Sequence, residues 1–429
     1  MATRGFVLAA PHSNAGKTTV TLALLRAFHN LGLSVAGAKS GPDYIDPAFH
    51  AAATGKVAFN LDAWAMRPDA IRARAAAIDA DLLVVEGAMG VLDGAGRSGT
   101  GSAADLAEVL DLPVVLVIDA SKQAHSVTLS AVGLRAQRPN IRLAGVILNQ
   151  LRSRRHAQMA AAALAAQDIP LLGAVPHDDW LKLPDRHLGL VQAGEHKDLN
   201  RFLDQAAAIV GTACNMGGLL GAADGIAKTG VPHSIPPLGQ RIAVAYDAAF
   251  GFAYPHLFAD WSAAGASIHT FSPLDDDIPD TDADAIFLPG GYPELHAGTL
   301  SAARRFREAM QVAAAKGTTI YGECGGYMAL GETLSDAAGK QHTMLGLLPL
   351  RTSFAQRKLN LGYRRLHPIG GAPFENPLMA HEFHYATIVE ESRAGRLFEA
   401  TDADGASVPD MGLLRNNVSG SFAHIIAPQ

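Results

Sequence analysis

Cysteine is nearly absent. Cys214 and Cys324 are the two in 429 residues, and no Cys-x-x-Cys pair occurs. A disulfide framework is excluded, and nothing suggests a thiolate zinc site. Long apolar runs are also missing, none approaching the ~18 residues of a membrane span. The opening MATRGFVLAAPHSN holds a short apolar stretch without a small-residue cleavage pattern, so no secretory leader is expected. Basic blocks are lacking as well. Lys and Arg number 35 against 41 Asp and Glu, a formal charge of −6, which argues against a sequence-independent nucleic-acid binder. Charged residues make up 18% of the chain and hydrophobic ones 48%, enough to fill cores and to exclude wholesale disorder. A soluble, cytoplasmic protein of two or three domains is expected.

What is present is an alternation. Short apolar runs at Phe6–Ala10, Val35–Lys39, Leu82–Glu86, Pro113–Ala120, Ala144–Asn149 and Leu171–Val175 are separated by stretches of helical spacing such as Thr18–Leu31. Buried strands alternating with amphipathic helices predict a mostly parallel sheet covered on both faces. Residues 210–240 are Gly-rich, carry Pro232, Pro236 and Pro237, and read as a linker. A second strand series follows at Arg241–Tyr246, Ser267–Phe271, Ala283–Leu288, Thr318–Tyr321 and Met344–Leu348. A turn-rich end from His381–Tyr385 to Gly420–His424 is expected to be antiparallel. The expected fold is α/β with two doubly wound domains, 1–209 and 241–429.

The strongest local signal follows the first run, in Ala10-Pro-His-Ser-Asn-Ala-Gly-Lys-Thr-Thr19. A strand, a tight turn and Gly16-Lys17-Thr18 opening a helix form a P-loop pattern. Backbone N–H groups over Ser13, Asn14, Ala15, Gly16, Lys17, Thr18 and Thr19 and the helix dipole would hold the phosphates of ATP. Lys17 reaches the outer phosphates, and the Thr18 hydroxyl can ligate Mg²⁺. Pro11 stands where the pattern usually opens with Gly, which predicts a differently shaped loop with the GKT end intact. Two more segments reach the same edge, because ligands collect at the carboxyl ends of parallel strands. They are Lys39–Pro47 and Val84–Asp93, with Asp43, Asp46, Glu86 and Asp93 as hard oxygen donors. Thr18, Asp43 and Glu86 form the candidate metal set. Lys39 can neutralise charge on a transferring phosphoryl group. Asp residues past a strand also cap helices, and for Asp46 the two readings stand level.

In the second half, Ile320-Tyr-Gly-Glu-Cys-Gly-Gly-Tyr-Met328 puts Cys324 after a strand in a Gly-x-Cys-x-Gly turn. Small neighbours permit the strained backbone of a nucleophile elbow, and a helix start favours the thiolate. Leu288-Pro-Gly-Gly-Tyr-Pro-Glu294 supplies flexible N–H groups, so Gly291 with Gly325 is the candidate oxyanion hole.

GKTTVT, KSGPDYIDPAFH, VVEGAMGVLDG and LPDRHLGL together resemble the cobyrinic/hydrogenobyrinic acid a,c-diamide synthases of corrinoid biosynthesis. The amino-terminal domain of that family is similar to dethiobiotin synthetase. The resemblance implies that Asn149, closing Gly145-Val-Ile-Leu-Asn149, reads the adenine; taken alone, the residue serves equally as a turn former. Arg186 and His187 either face a polycarboxylate substrate or belong to a structural loop. The Cys324 and Leu288–Glu294 segments resemble class I glutamine amidotransferases of the branch fused to corrinoid amide synthases. On that likeness His424 is the base that activates Cys324. Ordinary members carry His-x-Glu, the acid orienting the imidazole, but Ile425 and Ile426 follow His424 here. Another carboxylate or a backbone carbonyl then orients the ring, or the site works as a dyad. His381 and His384, with Glu382 between them, are rival candidates for the base.

The implied enzyme is a glutamine-hydrolysing carbon–nitrogen ligase. ATP with Mg²⁺ phosphorylates an acetate carboxylate of a corrin-type macrocycle, and Cys324 releases ammonia from glutamine through a glutamyl thioester. Ammonia then attacks the acyl phosphate, at the a and the c acetates in turn, along a path protected from bulk water. No nucleic acid and no membrane are implied, and a homodimer stays open. The competing readings are amidation of other side chains in the manner of a cobyric acid synthase, amidation of another tetrapyrrole, and a CO₂-using ligase of the dethiobiotin synthetase kind. A non-catalytic regulatory P-loop ATPase is the fourth, but it would need a basic amphipathic helix or polymer contact surface, and no such helix is evident.

Overall fold

The computed structural model describes residues 3–182, 198–370, 373–391 and 395–429. The chain divides into two units, Met1–His233 and Ser234–Gln429. None of the described helices is long and apolar enough to cross a membrane.

In the first unit the apolar runs become β1 (Arg4–Ala9), β2 (Val35–Ser40), β3 (Phe59–Leu61), β4 (Leu82–Glu86), β5 (Val114–Asp119), β6 (Leu143–Leu151) and β7 (Leu171–Pro176). They lie in the order β3-β2-β4-β1-β5-β6-β7, every pair parallel, and β8 (Asp224–Gly225) adds an antiparallel stub to β1. β2 and β4 are buried along their whole length, as expected of strands covered on both faces. The strand order turns around at β1, so the loop leaving β1 opens into the crevice where ligands of such sheets bind.

Of the linker expected over 210–240, the part up to Ala222 is helical, and the boundary between the units falls within the remainder. Helix Leu199–Ala213 buries Leu199, Phe202, Leu203, Ala206, Ala207 and Val210, one face at helical spacing, and packs against helix Lys17–Asn30. A short helix, Met216–Ala222, follows, capped by Asn215 Oδ1 accepting the Gly218 N–H at 2.8 Å. Burial of that face holds the segment in the first unit, which runs on to His233.

The second unit contains β9 (Arg241–Ala245), β10 (Ser267–Phe271), β11 (Ala285–Leu288), β12 (Thr319–Glu323), β13 (Thr333–Ser335), β14 (Gln341–Thr343), β15 (Leu350–Ser353), β16 (Asn360–Pro368), β17 (Leu378–His384), β18 (Thr387–Glu391), β19 (Arg396–Thr401), β20 (Ser407–Arg415), β21 (Val418–Ser421) and β22 (Ala423–Pro428). Ten of them form one sheet in the order β10-β9-β11-β12-β21-β20-β19-β16-β17-β22. It is parallel from β10 to β21 and antiparallel beyond, as the turn-rich end predicts. β13, β14, β15 and β18 make a separate small sheet. Met344–Leu348 is not a strand. Met344, Leu345 and Leu348 are buried, and the N–H groups of Leu347 and Leu348 both donate to Leu330 O. This apolar run covers helix Gly325–Leu330 rather than joining a sheet.

Candidate functional site

Two centres are built, each from one unit. In the first, Gly16 stands at φ +84°, ahead of helix Lys17–Asn30, and a Cβ there would collide with Asn149 Nδ2. Asn149 Nδ2 also donates to Ala15 O at 3.0 Å, so a residue of β6 fixes the shape of the loop. Ser13 and Asn14 are exposed at the turn, and Asn14 also takes positive φ. Lys17 is 7% exposed, and its Nζ donates to Met89 O at 2.8 Å. Burial lowers the Lys17 ammonium from its ordinary value, reinforced by Lys39 and opposed by Glu86, Asp46 and Asp93.

Lys39 and Glu86 face each other as register partners on β2 and β4. Lys39 Nζ donates to Glu86 Oε1 at 2.9 Å and to Asp46 Oδ2. Thr18 Oγ1 donates to the same Glu86 Oε1 at 2.5 Å. The other Glu86 oxygen lies 2.7 Å from His50 Nε2, with both side chains fully buried. Burial alone would raise Glu86, but Lys39, His50 and Thr18 outweigh it and hold the carboxylate well below its usual range. Burial would likewise lower Lys39, yet Asp46, Glu86 and Asp43 keep it well above the ordinary lysine value. Asp46 is raised by burial and by the Asp43 carboxylate, against the pull of Lys39.

The structure therefore joins Thr18, Lys39, Asp46 and Glu86, with Asp43 at the margin, its Oδ2 4.0 Å from Lys39 Nζ. Asp43, expected in the metal set, accepts the N–H groups of Ile45 and Asp46 on Oδ1, at 2.8 and 3.2 Å, just ahead of the helix Asp46–Thr54. Asp93 likewise closes a turn by accepting the Gly90 N–H at 2.9 Å. Past β6 and β7, on the same edge of the sheet, lies an open cavity of about 520 Å³ lined by Leu151, Arg152, Ser153, Arg154 and His177. Arg186 and His187 lie outside the described residues.

In the second centre, Cys324 takes φ 46° and ψ −102° between β12 and helix Gly325–Leu330. Its N–H donates to Ser421 O at 2.8 Å, which ties the elbow to β21. The thiol is 4% exposed. Burial and the Glu294 carboxylate push it far above its ordinary value, so the helix start does not make a resting thiolate. Gly291 and Gly325 are in contact: a Cβ on Gly325 would sit 2.7 Å from Gly291 N. A Cβ on Gly290 would collide with the ring of His424.

His424 is fully buried and is the register partner of His381. Burial pushes its imidazole down to about 3, and His381 and His384 act the same way. Its Nδ1 lies 3.7 Å from Glu323 Oε2. His384 is engaged elsewhere. Its Nδ1 is 3.1 Å from Ala386 O, its Nε2 is 2.9 Å from Glu382 Oε1, and its ring stacks on Phe422. Sequence reasoning assigned no role to His50 or Glu323. For His50 a signal was present, since it follows Asp46 by four on one helix face; for Glu323 no local pattern marked a partner.

Residues 241–429 match the family model of a CobB/CobQ-like glutamine amidotransferase domain, and residues 4–184 that of an AAA domain. The hydrogenobyrinate a,c-diamide synthase of Brucella abortus biovar 1 (strain 9-941) is 55% identical, covering 99% of this chain and 98% of its own. The protein of the same name from Rhizobium meliloti (strain 1021) is 53% identical, over 98% and 99%. That from Mesorhizobium japonicum is 47% identical, over 100% and 99%.

Proposed function

Because the chain belongs to the hydrogenobyrinate a,c-diamide synthase family, we propose that it converts the a and c acetate carboxylates of hydrogenobyrinate to amides, using ATP and glutamine. One observation carries the reading: a phosphate loop and a thiol at positive φ stand in the same chain.

A carboxylate and ammonia do not condense in water, because the departing oxygen is a poor leaving group. An ionised acetate oxygen attacks the γ-phosphorus of ATP, ADP leaves, and an acyl phosphate results. The carboxylate is already nucleophilic, so this step needs no general base, only positioning and charge stabilisation. Lys17, released from Met89 O, meets the charge on the transferring group. Lys39 adds positive charge behind Glu86. Mg²⁺ arriving with the nucleotide would neutralise phosphate oxygens; the adjacent hard oxygens of Thr18 and Glu86 suit it and would hold it. The open cavity past β6 and β7, at the end of the strand that carries Asn149, suits the nucleoside end of ATP.

In the other unit Cys324 attacks the side-chain amide carbon of glutamine. The N–H groups of Gly291 and Gly325 receive the oxyanion, and His424 passes the thiol proton to the departing ammonia. Water then cleaves the thioester to glutamate. Ammonia displaces phosphate from the acyl phosphate, and the sequence repeats at the second acetate.

The test is an assay of the purified chain with hydrogenobyrinate, ATP, Mg²⁺ and ¹⁵N-amide glutamine, read by mass spectrometry. Two labelled nitrogens per macrocycle are expected, and ATP turnover without amide formation overturns the proposal. Replacing hydrogenobyrinate by cobyrinate reads the preference for a metal-free ring. Gly290→Ala is a second expectation. The new methyl group displaces the His424 ring, so glutamine-driven synthesis should fall by about 10- to 100-fold. Ammonia-driven synthesis should persist, and equal loss of both would place the damage in the fold.

A further inference from the structure

We propose that Glu323 orients His424, completing a Cys324–His424–Glu323 triad in which the acid comes from the residue before the nucleophile. The proposal rests on the glutaminase reading above. In ordinary members the acid follows the histidine by two residues, on the same strand. Here that place belongs to Ile426, whose side chain is buried and whose carbonyl oxygen lies 2.8 Å from His256 Nε2.

Glu323 is aimed from the neighbouring segment. It ends β12 as the register partner of Ser421, and one of its oxygens, Oε1, accepts the Ile425 N–H at 3.1 Å. The strand that carries His424 thus fixes one carboxylate oxygen and leaves the other, Oε2, 3.7 Å from His424 Nδ1. That is an ion-pair distance rather than a hydrogen bond. It suits a neutral ring at rest and closes when the ring gains a proton, since catalytic hydrogen bonds tighten only in the reacting complex. With Nδ1 turned toward Glu323, Nε2 is the nitrogen left to take the proton from Sγ. The Nδ1 proton stays on the ring and donates to the carboxylate, so Glu323 itself gains no proton.

The electrostatics call for such a group. Glu323 and His424 are 2% and 0% exposed, and burial raises the Glu323 carboxyl to about 8, against the Ile425 N–H and Tyr321, while it pushes the imidazole down; each charged form is therefore favoured only with the other beside it. Around the ring, β17 presents His381 and His384, and Tyr254 meets it edge-on. None of these favours an imidazolium, and burial opposes one further. Glu382 is committed to Arg364, at 3.0 and 2.6 Å, and to His384. Glu294 acts on the thiol and opposes its ionisation. Glu323 lies at ion-pair distance from His424.

Glu323→Gln keeps the size and the acceptor for the Ile425 N–H but removes the charge. The expected result is a kcat for glutamine hydrolysis about 100-fold lower, with KM for glutamine within about twofold. Ammonia-driven diamide synthesis should be retained, and Glu323→Asp should recover part of the loss. In a His424→Ala background, Glu323→Gln should cost nothing more, because its partner is already gone. A wild-type kcat in Glu323→Gln, full additivity with His424→Ala, or an Asp variant no better than Gln would each overturn the proposal. Loss of ammonia-driven synthesis along with glutaminase would assign the carboxylate to holding β12 against β22, and would overturn it too. A wild-type protein that does not hydrolyse glutamine would count against the proposed function instead.

Discussion

Lys17→Ala is expected to abolish diamide formation with either nitrogen source, by at least about 100- to 1000-fold. The lysine opens helix Lys17–Asn30 and is buried, with Nζ on Met89 O at 2.8 Å. Phosphoryl transfer asks little covalent chemistry of the protein, so its catalysis is mostly positioning and charge. Alanine removes the cation nearest the turn, and with it the charge that meets the transferring phosphoryl group. Lys39 cannot substitute, because it is drawn to Glu86 and Asp46. Ammonia and glutamine should fail alike, since the acyl phosphate precedes attack by nitrogen. Glutamine hydrolysis should continue at a low, uncoupled rate, because Cys324, His424, Gly291 and Gly325 all belong to the second unit. The measurements are ADP release, glutamate release and macrocycle mass. Near-normal diamide yield from Lys17→Ala would sink the phosphate-site assignment.

How far the sequence could be read depended on whether a feature was contiguous. The phosphate loop was legible because a strand, a turn and GKT lie within a dozen residues, and the register of β2 with β4 then brings Lys39 opposite Glu86. Asn149 came from resemblance. Its contact is with Ala15, 134 residues away, and no local period announces such a partner. Asp43 shows why a carboxylate after a strand is ambiguous: Oδ1 accepts the N–H groups of Ile45 and Asp46, while Oδ2 lies 4.0 Å from Lys39 Nζ on the side of the charged cluster. In 210–222, glycine density hid the end of the helix Leu199–Ala213, whose buried face runs on to Val210, and the short helix Met216–Ala222 after it. Met344–Leu348 shows the limit of apolar runs, since hydrophobicity fixes burial and not hydrogen-bond partners. Glu323 stood beside the nucleophile but was silent, because its meaning depends on Ile425 and His424 a hundred residues later.

Cys324→Ala is expected to lose glutamine-driven synthesis entirely and to keep substantial activity with high ammonium at alkaline pH. The thiol must form the glutamyl thioester, and the other cysteine cannot replace it. Cys214 is buried in the first unit against Gly173, with its thiol pushed up to about 12 by burial, and Cys214→Ala should leave both activities intact. Alanine at 324 must still adopt φ 46°, a strained value for any residue with a Cβ, so the elbow is expected to survive with some loss of stability. The phosphate centre belongs to the other unit, so the acyl phosphate still forms. Free ammonia then stands in for glutamine, and alkaline pH raises its unprotonated fraction. His424→Ala should follow the same pattern less completely, because an unassisted thiol keeps some thiolate at high pH. Product formation is measured with each nitrogen source in turn, beside a thermal melt. Glutamine-driven synthesis surviving in Cys324→Ala would refute the nucleophile, while failure with both sources in a protein that melts normally would mean that the thiol centre also supports the synthase step.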